Sequence, residues 1–357
     1  MTQLLRIVAD DLTGALDAAA PFASPRQPVE VPWLCGPDPN SALVAATSES
    51  RNATREDAVG RTLHTFRLLE PAIPGALWFK KVDSVLRGHP IAETVALIRA
   101  GRFRRCIFAP AFPEMGRITR NGRQVLLGPE GERPVGPPDL VAAFAEEGLT
   151  AALTDALPRS SPTVLIAEAK TPDDLLNVVR THAASEGILW VGSRGLAAAL
   201  AGPSPPSPIP PVGLVVVGTS HPATREQVRA IESQVTRAGP EDDLMFDTVR
   251  PLLIDPVPNS VDATETRQAL LKALGRLNLG ADHQDGLIVV GGDTLSTILE
   301  ATGTGSLEVL GEVRPGIPLV HVRGGTLRGR RMATKSGGFG SPDLLAILLA
   351  RHHSDYP

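Results

Sequence analysis

Residues Leu4 to Asp17 read LLRIVADDLTGALD, and this stretch decides the fold. Leu4, Leu5, Ile7 and Val8 form an apolar run too short for a helix and typical of a strand buried on both faces of a parallel sheet. The run ends on Asp10 and Asp11, followed by Thr13 and Gly14, after which Ala15 to Ala20 has the composition of a helix. Two carboxylates therefore sit at the C-terminal edge of a strand, facing a helix N-terminus. In open α/β sheets that edge is where ligands bind.

Outward from this unit the same rhythm recurs. Pro28 to Cys35 and Ala42 to Thr47 read as the next strands, the second running into Thr47-Ser48-Glu49-Ser50-Arg51. Val59, Leu63, Phe66 and Leu69 mark the apolar face of a helix over 54–69. Ala76 to Val82 is a strand that delivers the basic turn KKVDSVLRG, Lys80 to Gly88, and Arg105 to Ala109 leads into APAFPEMGR, Ala109 to Arg117. Residues 117–138, rich in Gly, Pro and Arg and without clear periodicity, are expected to form a loop or β-ribbon excursion. A β-α-β series over 163–191 then ends in Gly192-Ser193-Arg194-Gly195.

GPSPPSPIPP, from Gly202 to Pro211, can support neither a helix nor a central strand. It separates an expected N-terminal domain, 1–201, from a C-terminal domain, 212–357. In the latter, strands over 212–217 and 286–290 end in Gly218-Thr219-Ser220-His221 and Gly291-Gly292-Asp293-Thr294, and KSGGFG occupies Lys335 to Gly340. The expected class is α/β, with two domains that are each a mostly parallel sheet flanked by helices.

Composition narrows the partners. Aromatic residues make up 4% of the chain and the formal net charge is −4, which argues against a stacking platform or basic stripe for nucleic acid. No segment approaches the roughly 18 apolar residues of a membrane span, and the chain enters its first strand without a basic, apolar leader, so a cytoplasmic protein is expected. Cys35 and Cys106 lie in apolar stretches and read as buried small hydrophobes rather than as a disulfide or metal pair. His89, His221 and His321 have no partners at metal-ligand spacing and read as structural.

The chemistry resides in the turns. A Gly-rich turn between strand and helix offers backbone N–H groups and a positive helix end to an anion, and three such turns in one domain point to a phosphate cradle. It is neither common nucleotide motif: Gly324 to Arg331 lacks the Lys-Ser/Thr of a Walker loop, and Gly303-Thr304-Gly305 lacks the third glycine of a dinucleotide fingerprint. Lys80, Lys81 and Arg87 can clamp an acidic substrate or simply face solvent. Asp10 and Asp11 suit a metal ligand or a general base, with helix capping by Asp11 or Thr13 as the plainer role.

Taken in order, ADDLTGA (Ala9 to Ala15), TSESR (Thr47 to Arg51), KKVDSVLRG, APAFPEMGR, GSRGLA (Gly192 to Ala197), GGDT (Gly291 to Thr294), PGIP (Pro315 to Pro318) and KSGGFG resemble the four-carbon acid sugar kinase family. Its members phosphorylate tetronates such as threonate, erythronate or their oxo forms with ATP. The resemblance implies a sugar-acid domain followed by a nucleotide domain, with the active site in the interdomain cleft. It implies ATP, with Mg2+ carried by the nucleotide, and a small sugar acid as partner; the oligomeric state, a homo-oligomer included, stays open.

By the same resemblance Asp10, Asp11, Lys80, Asp83 and Arg87 form the catalytic set. One of the two aspartates would take the proton of the attacking hydroxyl, and Lys80 and Arg87 would hold the substrate carboxylate. Thr13, Ser50, Arg51, Lys81, Ser84, Gly88 and Arg117 would surround the sugar acid. Gly218, Ser220, Gly291, Gly292, Asp293, Thr294, Lys335, Gly337 and Gly338 would hold the nucleotide, with no metal site of the protein's own. Two other readings stand beside it. One is an acid-loop phosphohydrolase with Asp10 as nucleophile, although such loops space their two acids one residue apart. The other is a non-catalytic sensor of a sugar acid or nucleotide.

Overall fold

The computed structural model describes residues 4–70, 75–101, 103–128, 130–154, 163–183, 185–238, 250–257, 262–276 and 286–350. The chain forms two compact units, Met1–Phe22 with Pro37–Ser204 and Ala23–Gly36 with Pro205–Pro357.

The first unit opens with β1 (Leu5–Ala9) and α1 (Leu12–Ala19), after which the chain gives β2 (Val29–Pro32) to the second unit. It returns for β3 (Leu43–Thr47), α2 (Arg55–Leu69), β4 (Leu77–Lys81), α3 (Pro90–Ala100) and β5 (Arg105–Ala109). Next come β6 (Arg117–Arg120), β7 (Arg123–Gly128), β8 (Gly131–Val135), α4 (Leu140–Glu146), β9 (Ala151–Leu153) and β10 (Val164–Ile166). The unit closes with α5 (Pro172–His182), β11 (Ile188–Gly192) and α6 (Arg194–Ala201).

Its main sheet runs β3-β1-β4-β11-β5-β10-β9, parallel throughout. That is the arrangement expected of continuous apolar strands, and β1 and β11 are buried at every position. Register aligns the strand ends. Ala9 pairs with Thr47 and Lys81, Lys81 with Gly192, and Gly192 with Ala109. The five turns after β1, β3, β4, β11 and β5 therefore leave from one row at one sheet edge. One core layer packs Val8, Val44, Phe66, Phe108, Phe144 and Val191 together.

Residues 117–135 form a separate antiparallel sheet, β6-β7-β8. Its period-2 signal is faint because β8 has no buried position.

The second unit continues with β12 (Val212–Val217), α7 (Pro222–Ile231), β13 (Thr236–Arg237), β14 (Leu252–Ile254), α8 (Ala263–Arg276), β15 (Gly286–Val290) and α9 (Gly292–Ala301). It ends with β16 (Ser306–Arg314), β17 (Ile317–Arg323), β18 (Arg331–Lys335) and α10 (Leu344–Ala350). Strands β13-β14-β12-β15-β18 are parallel, whereas β17, β16 and β2 extend the sheet antiparallel. The core between sheet and helices includes Val215, Val217, Ile288, Val290, Leu345 and Leu348.

The strand within Pro28 to Cys35 belongs to the second unit, where Val29 and Val31 pair with Val309 and Leu307. The alternation decides this, since Val29 and Val31 are buried while Glu30 and Pro32 are only partly so, the pattern of an antiparallel strand with one packed face. The first unit is thus interrupted at Ala23–Gly36. Cys106 is buried in β5, where desolvation pushes its thiol up, but Cys35 is exposed and donates to the Gly305 carbonyl at 3.1 Å.

The Pro-rich stretch is docked rather than free. Ser207 donates its N–H to the Glu312 carbonyl at 2.6 Å, and Ile209 is buried in the second core. Among the described residues no helix is long and apolar enough to cross a membrane.

Candidate active site

The turn after β3 is bolted onto the turn after β1. Ser48 donates both its N–H and its hydroxyl to the Ala9 carbonyl at 2.8 Å, and the N–H groups of Ser50 and Arg51 reach the Asp10 carbonyl at 2.9 and 3.2 Å. Ser50 is fully buried with its hydroxyl 2.9 Å from that of Ser48, so it braces the turn.

This bracing delivers the Arg51 guanidinium to both acids. Its Nε and Nη2 donate to the two Asp10 oxygens at 2.8 Å, while Nη1 and Nη2 donate to Asp11, the latter at 2.9 Å. The aspartates then diverge. Burial alone would raise the Asp10 carboxyl, but Arg51, supported by Lys81, brings it below the ordinary carboxylate range. Burial also raises Asp11, Arg51 opposes this, and the neighbouring Asp10 charge adds to the rise, leaving Asp11 above the ordinary range. Asp11 also caps α1, its Oδ1 accepting the Gly14 N–H at 2.7 Å. Thr13, in the first turn of that helix, carries a buried hydroxyl without a partner.

The turn after β4 holds a second Arg–Asp fork. Arg87 donates from Nε and Nη2 to Asp83 at 3.0 and 2.8 Å, and Asp83 also accepts the N–H groups of Val85 and Arg87. Burial would raise the Asp83 carboxyl, yet these hydrogen bonds and the Arg51 charge hold it well below the usual range. Leu86, at φ 60°, makes this turn tight. Gly88, at φ 78°, lies where a Cβ would come 3.1 Å from the Arg51 carbonyl, so the two turns touch through a position that needs glycine.

Lys80 and Lys81 point to opposite faces of β4. Lys81 donates to the Val82 carbonyl at 3.0 Å and lies close to Gly14. Lys80 is 0% exposed, with its ammonium 2.5 Å from the equally buried Glu93 of α3, so it does not line an open surface as a carboxylate clamp would. Sequence reasoning missed Glu93. The available signal was a pair of lysines on a strand buried on both faces, where one must bury its charge and requires an acid.

In the second unit Val217 pairs with Val290 and Val290 with Lys335, so three Gly-rich turns leave from one row. The Gly291 N–H donates to the Lys335 carbonyl at 2.9 Å, and the Thr224 hydroxyl of α7 holds the Gly337 carbonyl at 2.6 Å. Space between the turns is fully used: a Cβ on Gly218 or Gly337 would meet Thr294 or Thr219 at 2.4 or 2.7 Å. Gly338, Ser220 and Asp293 are exposed and Gly292 half-buried. His221 caps α7 through its ring, whereas no side chain caps α9, leaving that helix end available to an anion.

Lys335 completes the cradle. Its ammonium contacts the Thr224 hydroxyl and the Ser336 and Gly337 carbonyls. No carboxylate pairs with it among the described residues, and desolvation pushes it down to about 8. Gly291, at φ 108°, would place a Cβ 2.9 Å from the Thr294 hydroxyl. Gly291→Ala is therefore expected to cost roughly 1–3 kcal/mol of stability, readable as a lower midpoint in urea unfolding.

Two family models match the chain. Residues 5–142 match the sugar-binding N-terminal domain and residues 255–345 the nucleotide-binding C-terminal domain. The chain is 32% identical to a D-threonate kinase of Cupriavidus necator over 94% of both chains. It is 25% identical to a 3-oxo-tetronate kinase of Methylobacterium radiotolerans over 98% of this chain and 99% of that one. A crystal structure from Salmonella typhimurium LT2, described as a putative tRNA synthase, superposes with a TM-score of 0.76 at 18% identity over the whole of both chains. That likeness concerns the fold alone.

Proposed function

The chain belongs to the four-carbon acid sugar kinase family, and from that premise we propose that it transfers the γ-phosphoryl group of ATP to a hydroxyl of a tetronate-type acid. That it is a sugar acid kinase follows from its relatives. The observation that best supports the finer reading is the divergence of Asp10 and Asp11 beside one guanidinium. A general base works best when its proton affinity approaches the working pH. Asp11, raised and with its side chain 24% exposed, is the better suited of the two and takes the proton of the attacking hydroxyl. Asp10, lowered and 5% exposed at its side chain, anchors Arg51. This arrangement disfavours the hydrolase reading, because Asp10, the proposed nucleophile of that reading, is the more deeply buried of the two acids.

The buried Lys335 ammonium and the uncapped end of α9 fit a polyphosphate. When bound, ATP supplies the phosphoryl group and brings Mg2+ with its phosphates, which neutralises charge as the group transfers. Lys335 and the N–H groups of Gly292, Asp293 and Thr294 would hold the phosphates, the Asp293 carboxylate would be available to the Mg2+ they carry, and Gly218, Ser220, Gly337 and Gly338 would shape the cradle.

A coupled ADP-release assay across threonate, erythronate and their oxo forms tests this. ADP release that requires ATP, Mg2+ and one of these acids is expected. Phosphate release from a sugar phosphate without ATP, or tight binding of both ligands with no product, would overturn it.

Lys335 adds a pH dependence. Its charged form grips phosphate and is lost in the free protein as pH rises through about 8. Nucleotide affinity should accordingly fall between pH 7 and 9, and the slope should vanish in Lys335→Met. That variant should bind nucleotide about 10–100-fold more weakly at pH 7. Folding stability moves the other way: the unfolded lysine keeps its proton up to about 10.5, so between 8 and 10.5 this residue favours the folded state increasingly as pH rises.

A further inference from the structure

Most of the cations at the edge of the first sheet already have an acid. Arg51 is engaged by Asp10 and Asp11, Arg87 by Asp83, and Lys80 by Glu93. Lys81 and Arg117 remain without a carboxylate within 4.0 Å among the described residues. Lys81 stands beside the base, since its charge acts on both Asp10 and Asp11. The charges that bear on Arg117 are instead those of Asp83, Arg87 and Asp17.

Arg117 is also held in place with part of its hydrogen-bonding capacity unused. It begins β6 directly after the turn that follows β5, and its Nη1 donates to the Ser84 hydroxyl at 3.1 Å. Its Nε is buried with no partner, and desolvation pulls the guanidinium down from its usual range. Half-satisfied in this way, the cation is costly unless an anion completes it.

The mounting is rigid. Gln124 of β7, 0% exposed, accepts the Thr119 hydroxyl at 2.7 Å, and this orients its amide so that Nε2 donates to the Ser84 carbonyl at 2.7 Å. The small antiparallel sheet is thereby pinned to the turn that carries Asp83, Ser84 and Arg87.

Resting on the kinase reading above, we propose that Arg117 is the residue that grips the substrate carboxylate, oriented by Ser84 and with Gln124 as a positioning residue behind it. A guanidinium matches a carboxylate with two parallel hydrogen bonds. The role expected of Lys80 and Arg87 passes to Arg117, because those two cations already have acids. The acceptor must then be a small hydroxy acid, and the site discriminates against its neutral analogues.

Calorimetry and steady-state kinetics on the full-length chain test this with wild type, Arg117→Met and Arg117→Lys. With threonate or erythronate as probe, Arg117→Met should raise Kd and KM about 100-fold while the ATP Kd stays unchanged, and Arg117→Lys should recover part of the loss. The neutral amide of the same acid, used as a competitor, should bind wild type and Arg117→Met alike. An unchanged KM in Arg117→Met overturns the assignment, as does an equal loss for the acid and its amide, which would mark a merely structural role. Wild type that binds the acid but never phosphorylates it refutes the kinase reading alone, because the Kd comparison still decides on Arg117. Wild type that neither binds nor phosphorylates any of these acids refutes both.

Discussion

Asp11→Asn should lower kcat by about 10²–10⁴-fold, the range usual for loss of a general base, while leaving the protein as stable as wild type or slightly more so. The substitution is unusually clean because asparagine caps a helix as well as aspartate does, so the bond to the Gly14 N–H survives. Stability follows from the sign of the shift. A carboxyl raised in the folded state opposes folding when ionised at pH 7, so removing its charge relieves that cost. Asp10→Asn should do the reverse to stability. The Asp10 carboxyl is lowered on folding, so it stabilises above the unfolded value near 3.8 and loses that contribution as pH falls through the folded value. Thermal melts beside initial rates separate the two roles. Full turnover in Asp11→Asn with ATP and a tetronate would remove Asp11 as the base.

Glu93→Ala should destabilise the protein by about 3–5 kcal/mol, because it leaves the Lys80 ammonium buried and unpaired. For a unit of this size that corresponds to a fall in Tm of roughly 10 °C. Replacing both partners, Lys80→Met with Glu93→Leu, should restore most of the loss, since a well-packed apolar pair often replaces a buried ion pair at little cost. Activity is the second readout. If Lys80 acts only through the charge it places near Asp10, the double variant keeps kcat/KM within about tenfold of wild type, a change of about 1.4 kcal/mol. Loss of turnover in a fully folded double variant would instead return Lys80 to direct substrate contact.

Much of this architecture is legible in the sequence because it is local. An apolar run ending on Asp10 and Asp11, and Gly-rich turns after the strands at 212–217 and 286–290, state their geometry within a few residues. Parallel strands share one C-terminal edge, so motifs far apart in sequence but each following a strand converge without further instruction. What the sequence hides is pairing at a distance. Nothing near Arg51 announces that its fork spans both aspartates, and Glu93 looks like one polar residue on an amphipathic helix. Gln124 sits in a stretch whose Gly, Pro and Arg content masks three strands, because β8 has no buried position to make the alternation visible. Pro28 to Cys35 is legible as a strand but not as to its sheet, for alternation reveals one packed face without saying which partner covers it.

The loan of β2 to the second unit has a consequence for how the protein is made. Val29 leaves the ribosome long before its partner Val309, so this pairing has very high contact order and must close late. The first unit can acquire its main sheet while the borrowed strand waits. A separately expressed fragment beginning at Pro205 would present β16 with a bare row of N–H and C=O groups where β2 belongs, inviting strand addition from other chains. Supplying residues 23–36 as a peptide should suppress that aggregation, and fusing them to the end of the fragment should suppress it further.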